Sequence, residues 1–79
     1  MKNKEKISDL GLATLLLTLQ YELVKLERAD EKRINFIFNC SDGFDEAVNN
    51  YWSNVEMPVS VQALFNNHKL LKNRLYSIK

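Results

Sequence analysis

The ten residues Leu10 to Leu19, LGLATLLLTL, set the terms on which this chain can fold, because six leucines and an alanine fall within them. Leucine and alanine give up little on entering a helix, and no valine, isoleucine or proline intervenes. Ser8 or Asp9, just upstream, can accept hydrogen bonds from the first free backbone amides. A helix is expected from about Ser8 to Gln20. At ~100° per residue Gly11, Thr14 and Thr18 share one narrow stripe, while the leucines fan over roughly 220° of the remainder. A surface helix needs an apolar stripe only a little wider than about 100°. The surplus has two outlets: a helix held between a sheet and other helices, or a flank that meets another chain. On the second, Leu10 and Leu17 are the residues expected to join two copies as a homodimer.

The same stretch falls short of the ~20 apolar residues that a membrane span requires, and Gln20 and Glu22 close it. Lys2, Lys4 and Lys6 open the chain in the manner of a signal peptide. Glu5 and Asp9 interrupt that pattern, however, and no small-residue cleavage site follows. A cytoplasmic protein without membrane contact is expected. A single cysteine, Cys40, which can form neither an internal disulfide nor a metal site alone, agrees with a reducing compartment. The net charge of +1 gives no overall pull toward nucleic acid.

One small domain over residues 1–79 is expected, with residues 1–6 polar and frayed. Tyr21–Arg28 alternates imperfectly and reads as a strand. Arg33–Cys40 alternates better, with Ile34, Phe36, Phe38 and Cys40 on one face and Asn35, Ile37 and Asn39 on the other. The short polar connection Ala29–Lys32 makes the two an antiparallel hairpin. Ser41 or Asp42 is expected to cap a second helix, with Asp45 and Glu46 in its first turn and Phe44, Ala47, Val48, Tyr51 and Trp52 at helical spacing. After a loop from Ser53 to Met57 and Pro58, Ser60 caps a third helix, with Val59 and Leu64 as a hydrophobic staple. That helix, Val61 to Tyr76, is expected to bury Val61, Leu64, Phe65, His68, Leu71 and Leu75. The order is α-β-β-α-α, an α+β fold in which a two-stranded hairpin packs against helices. Its exposed strand edges are open to pairing with a second copy.

Four features together resemble a family of small uncharacterised domains, a domain of unknown function, from phages and bacterial mobile elements. They are Ile7, Ser8, Asp9, Leu10, Leu12, Ala13 and Leu16 around the first helix, Phe36 and Phe38 in the strand, Tyr51 in the second helix, and Leu71, Lys72, Leu75 and Tyr76 near the end. The resemblance spans about residues 7 to 76. Gln20 stands where a glycine would be expected to end the first helix. The resemblance implies a phage or mobile-element origin, and neither an activity nor catalytic residues.

The residues themselves offer no catalytic apparatus, cofactor motif or metal site. His68, the single histidine, keeps step with the apolar face of the third helix and is expected to pack there. Cys40 shares a face with Phe36 and Phe38 and is expected to be inert. Asp42, Asp45 and Glu46 lack the ligand spacing of a calcium loop and serve as helix-capping charges. Gly11 and Gly43 cannot make a phosphate-cradling loop. A non-enzymatic protein–protein interaction module is expected, self-associating and modulating a host factor. Tyr51, Trp52 and Met57 form its partner-binding rim, since Trp, Tyr and Met are enriched at interfaces. The alternative is a small nucleic-acid-binding accessory. From Met57 to Lys79 no acidic residue occurs, and Lys69, Lys72 and Arg74 could contact phosphates with Tyr76 stacking beside them.

Overall fold

A computed structural model describes residues 3–78. The elements are β1 (Asn3–Ile7), α1 (Leu10–Thr18), β2 (Leu23–Arg28), β3 (Ile34–Cys40), α2 (Phe44–Trp52) and α3 (Val61–Ile78). The α+β class is as expected, but the sheet has three antiparallel strands in the order β1-β3-β2. Residues 3–6, expected to fray, are strand; residues 1 and 2 lie outside the described residues.

The third strand has a physical reason. β3 is apolar on both faces: Phe36 and Phe38 enter the core, and Ile37 on the reverse face is also buried. An edge strand cannot cover such a residue; a central one can. Ile37 lies in register between Lys6 of β1 and Lys25 of β2, whose aliphatic stems flank it while their charges reach water. Lys6 and Glu27 then form an ion pair across β3, 3.5 Å apart. Both outer strands run antiparallel to β3 and therefore parallel to each other, so α1 carries the chain from one edge to the other in a split β-α-β unit.

The two edges are poor templates for another strand. β1 carries Lys4 and Lys6, and β2 has a register shift between Leu23 and Lys25. Charge and bulges of this kind blunt edge pairing. The core lies on the sheet's other face, where Ile7, Phe36 and Phe38 meet Leu12, Ala13 and Leu16 of α1, Phe44 and Ala47 of α2, and Leu71 of α3.

α1 is the central helix. Leu12, Leu15 and Leu16 are buried, and Leu10, Leu17 and Leu19 are half-buried against the same core. Asp9, not Ser8, caps it, accepting from Leu12 N at 2.8 Å. The stripe of Gly11, Thr14 and Thr18 turns out to be a packing seam. The two hydroxyls return to the carbonyls of Leu10 and Thr14, and Asn67 of α3 donates to Thr18 Oγ1 at 3.0 Å. Small side chains there let α3 come close.

α1 ends with Gln20 in the left-handed region (φ 73°). Gln20 N donates to Leu17 O and Tyr21 N to Leu16 O, a double closure that usually has glycine at this position. α2 ends the same way through Asn54 (φ 60°). Its N-terminus differs from expectation. Gly43, at φ 85°, occupies the cap position with no side-chain hydrogen bond. Ser41 and Asp42 instead build the preceding turn, and the Asp42 carbonyl accepts from the Tyr21 hydroxyl. Ser60 caps α3 as expected, its Oγ accepting from Ala63 N.

Candidate interaction surface

α3 is rotated from the orientation that its sequence suggests. Leu71 is fully buried and Leu64, Asn67, His68 and Leu75 are half-buried, but Val61 and Phe65, expected in the core, are 65% and 69% exposed. The Asn67–Thr18 bond and the fully enclosed Leu71 set the inward arc roughly 50° away from the centre of the apolar pattern. The rotation turns Val61, Phe65, Lys69, Lys72 and Tyr76 onto one outward flank only ~80° wide.

Two depressions run along that side of α3. The first, of about 350 Å³, is apolar: Gly11, Thr14 and Leu15 of α1, Tyr51 of α2, and Leu64, Phe65 and His68 of α3 line it. The second, of about 1030 Å³, lies between the C-terminal half of α3 and the β2–β3 turn. It brings Lys72, Leu75 and Tyr76 to Leu10 and to Asp30, Glu31, Lys32 and Arg33 of the turn. Asp30 is committed to the turn, its Oδ1 accepting from Lys32 N and Arg33 N at 2.9 and 2.8 Å. Those bonds hold its carboxyl below the ordinary range.

The expected rim residues separate into two roles. Tyr51 is half-buried, and its hydroxyl donates to Asp9 Oδ2 at 3.1 Å, the oxygen that also caps α1. Burial, then the hydrogen bond to Asp9 and its charge, push the phenol up. The approach is tight: a methyl group on Gly11 would lie 2.5 Å from that hydroxyl. Tyr51 therefore ties α2 to α1 while one side of it lines the apolar depression. Trp52 is 63% exposed and packs edge-to-face on Tyr51, ring centres 5.0 Å apart. Met57 is half-buried in the following loop, where Val55 is half-exposed.

Of the basic residues, Lys72 lines the larger depression and Lys69 is exposed about one turn before it on α3. Arg74 stands ~160° around the helix from Lys72 and does not join them. Leu10 and Leu17 are half-covered by the chain's own core, so the widely exposed apolar surface lies on α3 and at the end of α2. His68 lines the apolar depression without Cys40. The Cys40 thiol, half-buried at the end of β3, is pushed up by burial and by Glu5 and Asp45, which keeps it protonated and weakly nucleophilic near neutrality. Among the described residues no three of His, Cys, Asp and Glu gather as a metal-holding group, and no helix is long and apolar enough to cross a membrane.

Two features of the structure have signals in the sequence that periodicity alone does not carry. The polar Asn67 opposite the Gly11/Thr14/Thr18 stripe marks the α3 seam, and Ile37 between two asparagines marks β3 as central.

Fold and surface together define a small α+β domain, three strands under three helices, whose open apolar side runs along its last helix. The model of one family, described as Domain of unknown function (DUF5659), matches residues 2–77; the chain belongs to that family. No curated protein and no solved structure matches the chain.

Proposed function

We propose that this chain is a non-enzymatic protein–protein interaction module, encoded by a phage or mobile element and acting on a host factor in the cytoplasm. The observation that supports this reading is the outward turn of Val61 and Phe65 beside the apolar depression, with Trp52 stacked on its Tyr51 wall. Phe65 lines the depression, Val61 stands one turn before it on α3 and Trp52 packs on Tyr51 of the wall; exposed large apolar side chains grouped in this way are associated with binding. Origin and host target rest on the resemblance carried by Ile7 to Leu16, Phe36, Phe38 and Leu71 to Tyr76.

Self-association through Leu10 and Leu17 belongs to the same proposal, on the narrower ground that both are only half-covered. Light scattering across a dilution series tests it. A mass that doubles with concentration, and remains single in a folded Leu17→Lys variant, supports the dimer; one mass throughout removes it. A photo-crosslinking residue at Trp52, compared with one at Lys25 on the outer sheet face, tests the partner surface in cells. Discrete protein adducts at Trp52 and none at Lys25 are expected. Equal adducts at both positions contradict the reading.

One observation favours a second reading, a nucleic-acid accessory: Lys32, Arg33 and Lys72 line the larger depression, where they outnumber Asp30 and Glu31. Three cations could contact few phosphates. Retention on heparin that falls steeply with salt and disappears on Lys32→Ala/Lys72→Ala would establish it over the first.

A further inference from the structure

We infer that the α3 flank docks an amphipathic helix of another protein that is apolar at one end and acidic at the other. The inference rests on the interaction-module reading and names the chemistry of the partner. From Val61 to Tyr76 the flank is roughly 22 Å long, about four helical turns. Its first half is apolar, with Val61 and Phe65 beside a depression closed by Leu15 and Tyr51. Its second half carries Lys69 and Lys72 on the flank and Lys32 and Arg33 across the larger depression. Asp30, tied to the backbone of its own turn, and Glu31 also line that wall and leave the cations in modest excess. No acidic residue interrupts α3.

Such a surface sorts possible occupants by charge. A second copy is a poor match. Antiparallel self-pairing of the whole flank places its centre near Lys69, so the Lys69 residues of the two copies would oppose each other. Shifting the centre to Phe65 leaves Lys72 and Tyr76 outside the contact. Opposed like charges cost free energy, whereas complementary potentials favour encounter and fix register. An acidic helix satisfies both halves. Its apolar residues at i, i+3 or i+4 and i+7 enter the first depression, as in groove recognition generally. Its carboxylates, two turns further on, meet Lys69, Lys72, Lys32 and Arg33.

The test uses the full chain and a synthetic 16-residue helical probe with leucines in its first two turns and glutamates in its last two. Trp52, the single tryptophan, reports binding by its fluorescence. Saturable binding that weakens at least about tenfold in Phe65→Ser, and separately in Lys69→Glu/Lys72→Glu, is expected. Both variants change exposed residues, and unchanged circular dichroism verifies that they fold. A probe with lysine in place of glutamate should not bind. The inference is overturned if both probes bind equally, if neither variant weakens binding, or if a single-stranded oligonucleotide displaces the acidic probe at lower concentration. It is also overturned if the flank closes on a second copy, seen as a concentration-dependent mass abolished by Phe65→Ser with no probe bound. That last outcome leaves the interaction-module reading standing. Failure of the probe together with equal crosslinking at Trp52 and Lys25 removes both.

Discussion

Gln20 shows how a single residue can sit against its own preference. A side chain at φ 73° costs roughly 1–2 kcal/mol relative to right-handed backbone, yet the two closing hydrogen bonds to Leu17 and Leu16 require that conformation. Gln20 is exposed and bonds nothing through its side chain among the contacts described. Gln20→Gly is therefore expected to stabilise the chain by about 1 kcal/mol in urea unfolding; a loss would mean that the amide does something the backbone account omits. Tyr51 gives a pH-dependent counterpart. Its phenol is held above its ordinary value of 10.0, so the folded state favours the neutral form. Its contribution is intact below pH ~10 and drains away as pH rises through the higher folded value. The native chain should lose stability more steeply above pH ~10 than Tyr51→Phe does. Identical alkaline profiles would show that the bond to Asp9 contributes nothing.

Among the elements, the helices were more legible than the sheet. The leucine run, the acidic first turn of α2 and the cap at Ser60 are local signals, written within a few residues of where they act. β1 was not legible in itself, because NKEKI has one inward apolar residue, Ile7, and three charges that resemble any frayed terminus. Its trace lay in its partner, where Ile37 needs neighbours on both sides. The rotation of α3 was hidden for a related reason. Periodicity gives the width of an apolar face but not which part of it turns inward, and here a polar contact, Asn67 to Thr18, selects the arc. The same rotation separates the roles of Leu71 and Phe65. Leu71→Ala should cost about 2–5 kcal/mol; Phe65→Ser should leave unfolding within about 0.5 kcal/mol of the native chain. Comparable losses at both positions would place Phe65 in the core after all.

For the molecule as a whole, the leucines of α1 do not supply the widely exposed apolar surface. α1 is covered on one side by the sheet and on the others by α2 and α3, and none of its six leucines is fully exposed. Apolar surface emerges instead where α3 turns Val61 and Phe65 outward and where α2 ends in Trp52. Lysines on β1 and the irregularity in β2 discourage strand pairing, so the exposed apolar surface lies on this helical side. That surface could not be read from the letters, because exposure depends on how α3 is seated and not on its composition. A backbone-amide shift map, recorded while the acidic helical probe is titrated into the full chain, examines the claim most directly. Shifts running along Val61, Phe65, Lys69 and Lys72, with Gly11 and Trp52 at their margin, are predicted. Shifts concentrated on Lys4, Lys25 and Asn39 of the outer sheet face, or none at saturating probe, would contradict it.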